Sequence, residues 1–442
     1  MNHLDRAEPS RLVPTLGCVA DDLTGATDVA SALTDAGLSV TLILGVPVPS
    51  SPVGPCDAVV VALKSRTLPV DEAVRQSSAA LNWLRGQGVS SFYLKYCSTF
   101  DSTEAGNIGP VADAAMQLLD RNCIVHAPAY PANKRTVYQG HLFVGHSLLS
   151  ESGMEYHPLT PMTDPNLVRF LAHQTPFEVA LLPLEVIKSD APVRAIHDAL
   201  QALPQDSRAH VIADSVSNAD LDTIATAAIA ENISVLAGGA AFAASWAKGL
   251  GLGDHASLGA TFKAATGAAA VLVGSASSTT RRQIAAFAVD HPTRKLSIEG
   301  LEAPDELATE LVRWGAKLMG EGPVLIAADT TPEGIAAARE RFGHEAASAR
   351  IERTLGLVAV GLKDAGVRRF VVAGGETSGA VADALGLLSL RVGPSIAAGV
   401  PWTRSKNPDL EVAFKSGNFG GDQFFAEALD AGAQNDPRRI SR

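Results

Sequence analysis

The sequence predicts an α/β fold of two α/β domains with mainly parallel sheets. Three observations carry that expectation. The chain has 442 residues, and at roughly 100–200 residues per domain it should divide into two or three. Short β-branched or apolar runs alternate with longer Ala-rich helical patterns, the rhythm of α/β layering. Runs such as VVVAL at 59–63 and CIVHA at 123–127 are apolar without alternation, as strands covered on both faces are.

In the first half, strands are expected at 16–20, 39–44, 58–63, 91–95, 123–127, 178–182, 210–214 and 234–237. Helical patterns lie between most of them, for example at 71–85, 111–119 and 193–203. The second half repeats the rhythm, with strands at 269–273, 295–298, 324–327, 369–372, 388–392 and 411–414. Its helices are expected at 280–289, 305–319, 347–365 and 423–431, and in the third Leu355, Val358 and Leu362 share a face. Between the halves, GLGLGDHASLGATFKAATG at 249–267 is rich in Gly, Ser and Ala and lacks a sustained apolar face. The N-terminal domain is therefore placed at 1–250, a linker at 251–267 and the C-terminal domain at 268–442.

Composition narrows the function. Lys and Arg number 36 against 47 Asp and Glu, a net charge of −11. A nucleic-acid binder needs a cationic footprint, so none is expected, while local cationic pockets for an anionic metabolite stay open. Cys18, Cys56, Cys97 and Cys123 form no CxxC pair and read as reduced thiols. Cys97 has no identifiable His/Asn partner, so a structural thiol is favoured over a nucleophile. The start, MNHLDRAEPSRLVPT, has no apolar core, and no run of about 18 apolar residues exists. A cytoplasmic protein without a membrane partner is expected, its oligomeric state open. His126, His141 and His146 have no metal-ligand spacing.

The chemistry-bearing motifs follow strands. ADDLTGATD at 20–28 runs from a strand into a helix, and ligands of open α/β sheets bind at such carboxyl ends. One of its adjacent carboxylates can cap the helix while the other faces a ligand; Asp22 is expected to accept hydrogen bonds from a polyol or to serve as base toward a hydroxyl. KSRT at 64–67 places Arg66 at another strand end, where a guanidinium could match a carboxylate bidentately. KYCSTFDST at 95–103 and GNIGP at 106–110 add Lys95 and several hydroxyls. In the second half, VGSAS at 273–277, VVAGGETSG at 371–379 and KSGNFGG at 415–421 each join a strand to small residues. Such residues let backbone N–H groups approach phosphate at a helix N-terminus. Three loops in one domain argue for a phosphate-rich ligand, and none matches a P-loop or a GxGxxG fingerprint.

Together with RTVYQGHLFV at 135–144, MTDP at 162–165 and GVPW at 399–402, these motifs resemble, in order and over almost the whole chain, the four-carbon acid sugar kinases. The 3-oxo-tetronate branch is the most similar. The resemblance implies an N-terminal acid-sugar domain and a C-terminal nucleotide domain, with an active-site cleft between them. It implies ATP-dependent phosphorylation of the terminal hydroxyl to give a 4-phosphate, with Mg²⁺ accompanying the nucleotide. Carried over by motif, Asp22, Arg66, Lys95, Ser98 and Thr99 would face the acid, with Asp22 catalytic. Ser275 or Ser277, Gly374, Gly375, Glu376, Thr377 and Gly417 would face ATP. Ala276 and Ala398 depart from the residues expected beside their glycine loops without removing a polar group. Cys97 stands where the threonate and erythronate kinases tend to carry Asp, which favours the 3-oxo branch. The alternatives are a D-threonate or D-erythronate kinase and a non-catalytic sensor of sugar acid and nucleotide.

Overall fold

Runs of Val, Ile, Leu and Ala leave neither face of a strand suited to water, and in the computed structural model they pair into parallel sheets. The structure describes residues 13–157, 159–204, 206–253, 262 and 265–433. By its contacts the described chain divides into two units, 13–21 with 36–253, and 22–35 with 262 and 265–433.

The first unit has strands β1 (Leu16–Ala20), β2 (Val40–Leu44), β3 (Ala58–Ala62), β4 (Ser91–Lys95) and β5 (Cys123–Ala127). A small antiparallel sheet follows, β6 (Arg135–Tyr138), β7 (His141–Val144) and β8 (Ser147–Leu148), and then β9 (Glu178–Leu182), β10 (Ala209–Ala213) and β11 (Val235–Gly238). The large sheet runs β2-β3-β1-β4-β11-β5-β10-β9, parallel throughout. After β1 comes α1 (Leu23–Asp35), and the later helices of this part are α2 (Val70–Gly86), α3 (Ile108–Leu119), α4 (Leu167–Ala172), α5 (Leu184–Ile187), α6 (Pro192–Gln201), α7 (Asn218–Ala230) and α8 (Ala240–Gly249). The apolar strands β1, β3 and β10 are buried along their whole length.

The second unit has β12 (Ala268–Val273), β13 (Thr293–Lys295), β14 (Val324–Ala327), β15 (Val367–Ala373), β16 (Ser389–Ala397), β17 (Val400–Lys406) and β18 (Asp409–Lys415). Its helices are α9 (Ser278–Phe287), α10 (Pro304–Leu318), α11 (Pro332–Phe342), α12 (His344–Asp364), α13 (Gly375–Ala384) and α14 (Phe424–Ala433). The order β13-β14-β12-β15-β18 is parallel, and β17 and β16 continue it antiparallel. Leu355, Val358 and Leu362 of α12 are fully buried, the face expected from their spacing.

Several features differ from the expectation, among them the strands β6, β7 and β8, which it did not include. Helix α1 belongs to the second unit, although 1–250 was assigned to the first domain. Its apolar side packs on β16, β17 and α13, and Ser31 is 2.6 Å from Ser395. Within the expected linker, 254–261, 263 and 264 lie outside the described residues. Strand β13 ends where a strand at 295–298 was expected to start. Strand β17, VPWTRSK, has no counterpart in the expectation, because Pro401 argues against a strand inside a sheet. It is accommodated where the β16–β17 register shifts around Ser395, its partner.

Gly238 closes β11 in close approach to β5. Its φ is +149°, and a Cβ there would stand 2.2 Å from the Ala127 carbonyl oxygen. Gly238→Ala should therefore lower stability by about 2–4 kcal/mol, read as a shift of the urea midpoint. A wild-type midpoint would show that β5 and β11 separate there at little cost.

Candidate functional site

In each large sheet the chain leaves its first strand for one side and later returns to the other. The crevice at such a reversal, at the carboxyl ends of the strands, is where open α/β sheets bind ligands. In the first unit the reversal lies between β1 and β4. The residues that follow these strands, Asp21 and Tyr96, line a pocket together with Lys95, Arg66, Asp101, Ser102, Asn107 and His126. Val19, Leu94, Ala237 and His126 form one row across β1, β4, β11 and β5 and make its floor.

Arg66 does not present its fork to the pocket in the way its place after a strand suggested. Its Nε and Nη2 donate to Asp21 Oδ2 and Oδ1 at 2.9 and 2.7 Å. The Asp21 backbone carbonyl accepts from the N–H groups of Ser65 and Arg66, so strand end and charge pair set one another. Lys95 is buried, with Nζ donating to the Tyr96 carbonyl at 2.9 Å. Asn107 Nδ2 donates to the carbonyls of Ser65, Arg66 and Leu68, while its Oδ1 is buried with no hydrogen-bond partner in the structure.

Asp22 takes the capping role. Its Oδ1 accepts from Gly25 N–H at 3.0 Å, and its Oδ2 accepts from the Thr24 hydroxyl at 2.6 Å. Asp21, not Asp22, is the member of the pair on the pocket wall. Ser98 and Thr99 also stand outside that wall; the Thr99 hydroxyl donates to Asp101 Oδ1 at 2.5 Å. Their loop turns at Phe100, whose φ of +56° is strained for a bulky residue. The ring is buried edge-on against Tyr96 and Phe170, which holds the turn. Burial, and after it the Asp101 charge, pushes the Cys97 thiol up to about 12, so it stays protonated and unreactive.

In the second unit the reversal lies between β12 and β15. There the three small-residue loops meet. Gly274 and Ser275 N–H groups donate to the Ala373 carbonyl, and Gly374 N–H donates to that of Lys415. A Cβ on Gly274 would stand 2.0 Å from Thr377 Oγ1, and one on Gly417 2.6 Å from Ser275 Oγ. Ser277 caps α9 by accepting from Thr280 N–H, and its hydroxyl donates to the Gly417 carbonyl at 2.6 Å. Gly374, with φ +121°, leads into α13. Gly375 and Glu376 are exposed at its first turn, and a Cβ on Gly375 would meet no atom within 4 Å. Two helix N-termini, each with unpaired N–H groups and partial positive charge, thus border one loop cluster. Ser275, Ser277, Gly374, Thr377 and Gly417 come together in it.

Two side chains organise this cluster that motif reasoning did not single out. Lys415 is fully buried and its Nζ donates to Thr280 Oγ1, Ser416 O and Gly417 O at 3.3, 2.8 and 3.0 Å. Gln283 Nε2 donates to the carbonyls of Phe419, Gly420 and Gly421. A lysine ending an apolar strand is the signal that could have found the first; an interior helical Gln carries none. Among the described residues no three His, Cys, Asp or Glu side chains converge to hold a metal ion.

A sugar-binding N-terminal domain model matches residues 16–246, and a nucleotide-binding C-terminal domain model matches 270–425. The chain belongs to the family that joins these two domains. Its relatives include a 3-oxo-tetronate kinase of Burkholderia multivorans, 46% identical over 95% of this chain and 97% of that protein. Another is the 3-oxo-tetronate kinase of Salmonella typhimurium, 40% identical over 93% and 98%. Among solved structures, a Salmonella typhimurium protein described as a tRNA synthase superposes with a TM-score of 0.85 at 39% identity, over 94% of this chain and 99% of that one. A Haemophilus influenzae protein gives 0.79 at 38%, over 94% and 100%.

Burial pulls the Lys415 ammonium from its ordinary 10.5 down to about 8. Between those values the folded chain holds fewer protons at this site than the unfolded chain, so stability rises with pH there. The stability difference between wild type and Lys415→Met, from urea unfolding, should therefore move in favour of wild type from about pH 8 to 10.5. A difference that stays flat across this window would mean that the ammonium is not desolvated.

Proposed function

We propose that this kinase phosphorylates the 4-hydroxyl of 3-oxo-tetronate with ATP, giving 3-oxo-tetronate 4-phosphate in four-carbon acid sugar catabolism. The observation that carries the reading is the division of chemistry. One unit gathers Lys95, Arg66, Asp21 and hydroxyl groups at its sheet reversal, and the other gathers two helix N-termini and three glycine loops. Relatives named 3-oxo-tetronate kinase at 40–46% identity support the choice of acid.

In this reading the buried Lys95 ammonium takes the substrate carboxylate, and Arg66, held in place by Asp21, lines the pocket beside it. The loop of Ser275 and Ser277 and the N–H groups of Gly375, Glu376 and Thr377 at the α13 N-terminus receive the phosphates, over the buried charge of Lys415. Mg²⁺ comes with the nucleotide, where it would neutralise charge on the transferring group; phosphoryl transfer needs little else beyond positioning. Asp22 is the proposed base toward the 4-hydroxyl.

A coupled assay of ADP release over a panel of four-carbon acids tests the assignment. The highest kcat/KM is expected with 3-oxo-tetronate; turnover confined to D-threonate or D-erythronate would move the chain to the other branch. Asp22→Asn separates cap from base. Asn caps a helix about as well as Asp, so the melting temperature should hold while kcat falls about 10²–10⁴-fold. Wild-type kcat would leave Asp22 as a cap alone. Gly375→Val tests the other site. Since a Cβ there meets nothing, the variant should fold, bind the acid normally by calorimetry and bind ATP more weakly. Unchanged ATP affinity would remove the α13 N-terminus from the nucleotide site.

A further inference from the structure

A chain of buried side chains leads out of the acid pocket. The Tyr96 hydroxyl is 3.1 Å from His126 Nδ1, His126 Nε2 is 3.0 Å from His210 Nδ1, and His210 Nε2 is 2.7 Å from Asp113 Oδ1. Both imidazoles are fully buried, and Tyr96 is nearly so. Tyr96 and His126 line the pocket, whereas Asp113 lies on α3 outside its wall. Thr175 completes the outer end by donating to Asp113 Oδ1 at 3.0 Å while accepting from Phe177 N–H.

For a neutral His210 ring, the direction of every bond follows from the carboxylate, which can only accept. His210 must carry its proton on Nε2, so Nδ1 of the neutral ring accepts. His126 then carries its proton on Nε2 and accepts at Nδ1, and the Tyr96 hydroxyl must donate to it. With its proton committed to His126, the phenol oxygen can offer only lone pairs to any further partner. Burial holds the His126 pKa well below its ordinary value, and burial, with the Asp21 charge nearby, holds the Tyr96 phenol well above its own. Neutral imidazole and neutral phenol are the states this direction requires.

Resting on the proposed substrate, we propose that Tyr96 is a positioning and specificity residue that accepts a hydrogen bond from the C2 hydroxyl of the acid, its acceptor polarity set by His126, His210 and Asp113. The chemistry of the acid selects the partner. Its carboxylate and C3 ketone are acceptors and call for donors such as Lys95. Its C4 hydroxyl is the reacting group. The C2 hydroxyl is the remaining donor, and an acceptor-only phenol is its complement.

The test uses two stable acids without nucleotide, 2,4-dihydroxybutanoate and 4-hydroxybutanoate, titrated calorimetrically. Wild type should prefer the first by roughly three- to tenfold, as one net hydrogen bond allows. Tyr96→Phe should bind both acids with a ratio near one. Asp113→Leu, remote from the pocket, should lower the ratio, and ¹⁵N spectra should show mixed histidine tautomers in place of wild-type rings protonated at Nε2. Wild-type rings protonated at Nδ1, or a Tyr96→Phe variant that keeps the preference, overturns the proposal with the pocket reading intact. If neither acid binds wild type, or Lys95→Met binds both as wild type does, the acid-site reading fails and the proposal with it.

Discussion

Strands buried on both faces leave unpaired polar chemistry to their ends. The interior of each sheet is mostly Val, Ile, Leu and Ala, and its polar side chains, such as His126 with His210 and Arg369 with Glu411, are paired, because an unpaired polar group there would cost free energy. The backbone groups at strand ends, by contrast, must find partners in the connecting loops. Where the strand order reverses, two such loops part and leave a crevice. Both units use it. After β1 and β4 the crevice is furnished with charges and hydroxyls; after β12 and β15 it is furnished with glycine backbone and helix ends.

The charges in these crevices are handled differently. Asp21 and Arg66 neutralise one another through two bonds and tie β1 to the turn after β3. Lys415 instead meets a hydroxyl and two backbone carbonyls. Its positive charge is therefore only partly compensated locally, which favours an anion above it, while burial accounts for its depressed pKa. A third arrangement appears deeper in the second unit, where Arg369 and Glu411 pair at 3.1 Å with Trp402 against the guanidinium.

Much of the architecture was legible because parallel strands are written as apolar runs, and each such run expected before β12 became a strand close to its expected bounds. The antiparallel β17 was hidden by Pro401 and by its polar second half, whose place depends on pairing with β16 and β18. The site was legible as loops rather than as side chains. Composition marked ADDLTGATD but could not divide its two carboxylates between cap and pocket, since both faces of β1 are buried and alternation gives no direction. His126 and His210 lie 84 residues apart; only the adjacency of β5 and β10 makes them neighbours. Ser98 and Thr99 were credited for their hydroxyls, whereas the strained turn at Phe100 decides which groups of that loop reach the wall.

The grip of Lys415 on its loop has an evolutionary corollary. Two of its three bonds end on main-chain oxygens of residues 416 and 417, and Gln283 holds 419–421 in the same way. Such contacts are blind to most side chains but exacting about spacing along the backbone. The loop should thus absorb substitutions at positions such as Ser416 with little change of shape. A single inserted or deleted residue would carry the carbonyls out of reach of both donors. Selection on this segment would act on its length before its letters.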